Sequence, residues 1–394
     1  MSVLPLADPA SERRFWWLLA ACLAVLAVGL GGAWVMEHRG HIVTGMNNEI
    51  VWGTPHVFAI FLIVAASGVL NVASVGSVFG QAAYKPHARL SGLLSIAMLA
   101  GGLMVLMLDL GRPERMVVAA THYNFTSVFA WNVFLYSGMF GIVAVYLWTM
   151  LEQRLNRYSK PAGVAALVWR FVLTSGTGSI FAFLVARQAY ASAVLVPLFI
   201  AMSLSWGMAA FLLANAALQS WRGGAMAADL LRRLKNLLGV FIAVVLWLTA
   251  TYHLTNIYFA RQTEFERFIL LDGGVYPLLF WGGYVVLGSV APMWLLWRRA
   301  EPAGGAVLSA AALVVVGALA QLYVFVIGGQ AFPLDIFPGF EVTSSFRDGA
   351  IGTYQPSVWE VLLGLGGVAA ACVITLIGTQ VLDILPGGRT DGVG

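Results

Sequence analysis

Ten stretches of this chain are long and apolar enough to cross a bilayer: residues 15–36, 55–80, 90–110, 127–151, 164–187, 193–219, 234–259, 274–297, 306–328 and 357–385. A helix crosses the hydrocarbon in roughly 20 residues, whereas a barrel strand needs about half as many. Within lipid a segment must satisfy its own backbone polar groups, so runs of this length predict helices. The expected fold class is all-α integral membrane with ten transmembrane helices, and almost nothing remains for a soluble domain. Composition agrees: 60% of the 394 residues are hydrophobic and 10% are charged. Soluble domains carry roughly 25% charged residues. No low-complexity segment or clear internal repeat is visible.

The first run follows Arg13 and Arg14 and extends to Met36 without a small-residue cleavage site before Glu37. It is too long for a signal-peptide core and is expected to be a retained anchor. Charge asymmetry orients the spans. With the N-terminus inside, the inner segments hold Arg13, Arg14, Lys85, Arg89, Arg154, Arg157, Lys160, Arg222, Arg232, Arg233, Lys235, Arg298, Arg299 and Arg389, which is 14 of the 22 basic residues. The outer segments hold seven: Arg39, Arg112, Arg115, Arg187, Arg261, Arg267 and Arg347. Arg170 lies within span five. Both termini are therefore expected to be cytoplasmic. This bias also explains the net charge of +4 without a nucleic-acid partner.

Cys22 and Cys372 are the only two cysteines. An iron–sulfur cluster generally takes four thiolates, so the chain cannot house one alone. Both cysteines read as small apolar side chains in a packed bundle.

Five residues of strong polarity, His56, Asn132, Arg187, His253 and Glu360, fall near one end of five different spans, all on the outer side. A charged side chain at mid-membrane costs roughly 2.5–3.5 kcal/mol on insertion scales, and less at shallow depth. Their common depth, rather than any one of them, points to a polar site. Span two opens with Val51-Trp52-Gly53-Thr54-Pro55-His56, where Pro55 suits a first helical turn. Its small-residue stripe around Gly68 suits close helix packing, and Asn71 and Ser74 share a face. Span three ends in Leu108-Asp109-Leu110-Gly111-Arg112-Pro113-Glu114-Arg115, which reads as a solvated helix-end turn. The following loop carries His122. Asn132 and Tyr136 are four apart on span four and share a face. Span five carries Arg170, read as snorkelling to the inner surface, the run Thr174 to Ser179, and Arg187 near its outer end. Glu360 lies one turn into span ten, where a capping role is favoured by the helix dipole. The Gly329–Pro356 loop, with Pro338, Glu341 and Arg347, is apolar enough to lie over the bundle as a cap.

A quinone head group needs donors for two oxygens, room for a flat ring and a greasy entrance. Its chemistry also moves protons, which histidine can exchange near neutrality. His56 with Trp52, Asn132, Tyr136, Thr177 and Ser179 supplies that inventory, and Arg187 and Glu360 would tune the local field. The same polar groups would serve a secondary transporter, and a purely structural anchor is a third reading. A bis-histidine haem would need His56 and His253, because His38, His41, His87 and His122 are expected in loops.

These motifs resemble the NrfD/PsrC family of membrane subunits. The resemblance rests on "HIVTGMNNEIVWGTPHVFAIFLIVAASGVLNVASVGSVFG" from His41, "LDLGRPER" from Leu108, "THYNFTSVFAWNVFLYSG" from Thr121, "GTGSIFAFLVARQAY" from Gly176 and "TYQPSVWE" from Thr353. Within the family it is similar to the DsrP-type branch. The resemblance implies two four-helix bundles, residues 55–187 and 193–328, flanked by peripheral spans one and ten. It implies a quinone (menaquinone or ubiquinone) near the outer face of the first bundle, with His56 as the proton-exchanging residue. Trp52, His122, Asn132, Tyr136, Thr177, Ser179, Arg187 and Glu360 are the implied contacts. It further implies no haem or iron–sulfur cluster in this chain. Electrons would be exchanged with a DsrO-like periplasmic iron–sulfur subunit, beside DsrJ-like multihaem cytochrome c and DsrM/DsrK-like subunits, in a bacterial cytoplasmic membrane and in sulfur metabolism. Several family members carry an acidic residue after the tryptophan of span four, where this chain has Asn132. A proton relay at that point would need Glu360 or His56 instead.

Overall fold

The structure, a computed structural model, describes residues 9–221, 226–298, 301, 303–335, 337, 340 and 349–384. Among them are ten helices long and apolar enough to cross a membrane: Glu12–Arg39, Thr54–Ser77, Ala82–Leu108, Val128–Leu151, Gln153–Ala182, Leu195–Ser220, Ala228–Tyr258, Val275–Trp297, Gly304–Ala331 and Val358–Val381. These are spans one to ten, and the chain is a multi-pass membrane protein. Arg222, Arg299, Pro338, Glu341, Arg347 and Arg389 lie outside the described residues.

Three helix ends differ notably from the sequence expectation, for a shared reason: apolar composition does not mark where backbone bonding stops. Span three starts early enough to include His87, which is buried, its Nδ1 3.1 Å from Asn215 Oδ1. His38 also lies in a helix, Pro9–Arg39, so neither histidine is a loop residue. Span five stops at Ala182, which leaves Arg187 beyond it in the connection to span six.

Span two is the centre of the molecule, with 94% of its apolar window buried, against 17% for spans one and four. It packs on spans three and six, while span six also touches spans five, seven and nine. Spans one and ten pair with each other, and span ten rests on spans two and three. The seam between spans two and six is built on glycine. A Cβ on Gly68 would overlap the Ser203 carbonyl oxygen, and one on Gly207 would run into the Gly68 backbone. Small residues permit such backbone approach, which is how helices associate where lipid removes the hydrophobic drive.

Arg170 does not snorkel. It is buried, its Nη1 donating to Asn71 Oδ1 at 2.6 Å and to the Ser67 carbonyl at 3.3 Å. Asn71 on span two reaches it before water can, because the intervening Ser67–Thr174 hydroxyl pair (2.8 Å) draws the two helices together.

Candidate functional site

The chain before span two is fixed by partners from the far end of the sequence. Gln330, buried at the end of span nine, accepts from the amides of Val51 (3.1 Å) and Trp52 (3.0 Å) with Oε1, while its Nε2 donates to the Trp52 carbonyl (3.0 Å). Arg187 closes this clamp, donating to the carbonyls of Gln330 (2.8 Å) and Glu49 (2.9 Å). Burial pushes its guanidinium down from the usual arginine range, opposed by Tyr190 and the Glu49 carboxylate. Arg187 therefore holds backbone in place rather than reaching outward.

Glu360 does the same from span ten. Ser357 and Glu360 form a reciprocal capping box, and Glu360 also accepts from the Gly45 amide (2.9 Å) and the Tyr354 hydroxyl (2.7 Å). Burial and this carboxylate hold the Tyr354 phenol above its ordinary range, so it stays a donor. The phenol oxygen in turn accepts from the Thr54 amide at 2.6 Å. Gly53 is what lets Glu360 in: a Cβ there would collide with Glu360 Oε1. Both Glu360 oxygens are thus engaged behind the start of span two.

On that fixed platform stands His56, one turn into the helix that starts at Thr54 with Pro55 in its first turn. Its Nδ1 lies 2.7 Å from Asp109 Oδ2, with the ring 12% exposed and the carboxylate fully buried. The contact is close but off the ring N–H direction. Nδ1 and both Asp109 oxygens have no aligned hydrogen bond among the described residues. Asp109 is therefore not part of a solvated turn. An acid at a helix C-terminus opposes the dipole, and this one is buried as well. It faces the His56 imidazole, which span two supplies. That dipole conflict was the one sequence signal that could have singled out Asp109.

Trp52 stacks over His56 with ring centroids 5.9 Å apart and planes at 24°. Its other neighbours are Phe129 of span four (6.1 Å) and Phe181 of span five (5.6 Å). Asn132 lies one turn and Tyr136 two turns along from Phe129, and Thr177 lies one turn before Phe181. Asn132 is buried, donates to the Val128 carbonyl (2.9 Å), and keeps Oδ1 without a hydrogen bond. The Tyr136 hydroxyl lies near that of Thr177, which itself donates to the Leu173 carbonyl at 3.1 Å. Ser179 is half-buried on the same helix. The fold thus groups Trp52, His56 and Asp109 as one set and Asn132, Tyr136 and Thr177 as a second, joined through Phe129 and Phe181. It does not bring in His122, which is exposed and bonded to the Thr121 hydroxyl at 3.0 Å.

His253 belongs elsewhere, at the end of span seven. Its Nδ1 is 2.6 Å from Glu266 Oε2, and Asn256 donates to Glu266 Oε1 at 2.7 Å. Among the described residues no group of three or more His, Cys, Asp or Glu could hold a metal ion.

Chemically, the Trp52 set offers an aromatic face and an imidazole whose Nε2 is not engaged by Asp109. The buried carboxylate at the other nitrogen lets the ring carry a positive charge. A ring of this kind can take a proton from, or give one to, a flat polar molecule lying against Trp52.

Known proteins of similar sequence span nearly the whole chain. It is 29% identical to the Hdr-like menaquinol oxidoreductase integral membrane subunit of Archaeoglobus fulgidus over 388 residues, 95% of this chain and 94% of that protein. It is 29% identical to a candidate membrane subunit of dimethyl sulfoxide reductase from Halobacterium salinarum, with 93% and 91% of the two chains aligned. A selenate reductase subunit from Mesobacillus selenatarsenatis is 21% identical, with 90% and 91% aligned. Residues 42–334 match the family described as polysulphide reductase, NrfD, and the chain belongs to that family.

Proposed function

We propose that this chain is the quinol-oxidising membrane subunit of a multisubunit respiratory oxidoreductase, with the quinol head group seated against Trp52 and His56. The observation that carries this reading is the buried Asp109 carboxylate 2.7 Å from His56 beneath a stacked tryptophan. A quinol gives up two electrons and two protons when oxidised. His56 accepts one proton at Nε2, and Asp109 balances the imidazolium that results, as a buried carboxylate does for a catalytic histidine; the other proton leaves to water at the outer rim. Trp52 fixes the ring plane, and the unpaired Asn132 Oδ1 is an acceptor for a hydroxyl of the ligand. The outer-end phenylalanines Phe129 and Phe125, both exposed, leave the rim open toward lipid. The Archaeoglobus relative, named as a menaquinol oxidoreductase subunit, favours menaquinol as the substrate.

The chain holds no electron acceptor of its own in this reading, so electrons pass to a partner docked at the same end of the spans. The finer form is a DsrP-type subunit in a cytoplasmic membrane, with DsrO-like, DsrJ-like and DsrM/DsrK-like partners. Mass analysis of what co-purifies with the tagged chain tests that form, and its failure leaves quinol oxidation standing.

The decisive experiment is oxidation of a menaquinol analogue by the whole complex carrying His56→Gln. General acid–base catalysis is worth about 10²–10⁴-fold, so turnover is expected to drop by that much while the complex still assembles. Undiminished turnover removes His56 from the reaction.

A further inference from the structure

A second space, mostly apolar but edged by a few polar groups, lies away from His56, between spans six, seven, eight and nine. This cavity encloses about 40 Å³ and is lined by Thr249, Tyr252, His253, Phe280 and Gln321 together with aliphatic and aromatic side chains. A water molecule needs about 10–15 Å³ of such space, so the cavity has room for about three waters. Cavities that admit even a benzene ring are several times larger, at about 150 Å³. A quinone ring is excluded on size.

Three features give this space a polar purpose. His253 and Glu266 are a buried pair, and Glu266 is held on both oxygens, by His253 Nδ1 and by Asn256. Gln321 is buried and donates to the Thr249 hydroxyl (3.3 Å), but its Oε1 has no hydrogen-bond partner. A buried acceptor left this way costs about 1–3 kcal/mol. A water in the cavity that Gln321 lines relieves that cost. Third, Tyr284 donates to the same Thr249 hydroxyl at 2.9 Å and, with Ser289 and Gln321, lines a smaller cavity of about 10 Å³ further along. The two cavities share Gln321, and the Thr249, Tyr284 and Gln321 side chains form a hydrogen-bonded cluster between them; His253 lines the first cavity one helical turn from Thr249, with no direct hydrogen bond to that cluster.

Local backbone geometry supports the same place. All three π-helical stretches among the described residues, Phe268–Asp272, Leu278–Val290 and Tyr323–Gly328, contribute lining residues. Wide turns of this kind recur at functional sites. The pair sits at the outer end of the bundle, Glu266 being buried on the short helix Thr263–Arg267 that joins spans seven and eight.

We propose that spans six to nine hold a hydrated proton-binding site, in which about three waters connect Gln321 to His253 and the His253–Glu266 pair loads and releases one proton. Uptake places the proton on His253 Nε2, the nitrogen not engaged by Glu266, while Glu266 remains a carboxylate. Release returns it to the cavity waters. The other titratable groups facing the pair are Tyr252 on its own span and, through Thr249, Tyr284 on span eight. Spans six and nine present none, and no Lys or Arg lines the cavity. The site is independent of quinol binding at Trp52 and His56.

The test uses the full chain in lipid nanodiscs with labelled histidine, read by water-edited solid-state nuclear magnetic resonance. His253→Gln assigns the ring signal. In the unaltered chain the His253 ring is expected to receive magnetisation from water about as fast as exposed His122, and to shift on acidification. Gln321→Leu, similar in size and apolar, is expected to slow that transfer several-fold; Thr249→Val provides the same test should the first variant not accumulate. Glu266→Gln is expected to abolish or displace the titration. A ring that stays dry, or hydration unchanged by both cavity variants, overturns the water site. A hydrated ring that never titrates overturns the proton-binding role.

Discussion

The two halves of the protein each carry a histidine against a buried carboxylate, and the pairs are built to opposite specifications. His56 meets Asp109 at a rim where Trp52 lies over the ring, and Asp109 has no aligned hydrogen bond on either oxygen. His253 meets Glu266 beside an enclosed space, and both Glu266 oxygens are hydrogen-bonded. A carboxylate with spare acceptor capacity can follow a change of charge on its partner. One that is fully engaged fixes its partner's position. What is proposed to reach the free imidazole nitrogen separates the halves further: a flat ring from lipid at His56, only water at His253.

Asp109→Asn is the change that most directly breaks the comparison. It removes the balancing charge while keeping shape, and quinol-dependent turnover of the complex is expected to fall by about 10²-fold or more, the lower end of acid–base contributions. Retained turnover would make the rim pair as passive as its fit is loose. Glu266→Gln should act on stability instead. An amide cannot accept at both positions, and a lost buried hydrogen bond to a charged group is worth about 1.5–3 kcal/mol, to be read as a lower midpoint of thermal unfolding in detergent. Gln330→Leu sharpens the contrast from outside either pair. It frees the Val51 and Trp52 amides, so quinol KM is expected to rise several-fold with a stability loss of about 1–3 kcal/mol, measured by titrating quinol and by melting. Smallest in its effect on quinol handling is Glu360→Gln. An amide cannot accept at both oxygens here either, so stability is expected to fall by about 1.5–3 kcal/mol while the quinol KM stays nearly unchanged; a large KM change would put Glu360 at the head group after all.

The spans were legible because hydropathy is local: every one of the ten apolar runs is a helix. The contact between Trp52 and His56 was legible because the two are four residues apart across the start of span two. Asp109 was not, since its meaning depends on a contact with span two that no local pattern encodes, and its setting among Gly111, Pro113 and charged neighbours imitated a plain turn. Arg187 was placed on a helix because Leu184 and Val185 continue the apolar run past the point where Ala182 ends the bonding. Arg170 looked like a surface residue because Asn71, its partner, sits on another span. Glu266 and Gln330 were missed for the same reason: each lies at a helix edge and acquires its role only when a distant span arrives.

The glycine crossing at Gly68 and Gly207 carries a mechanical consequence. Where two backbones touch with no side chain between them, there is no soft layer to compress and no rotamer to yield, so the joint behaves as a weld. Any displacement of span two is handed to span six at full amplitude, and flexing must be taken up in the connections above and below.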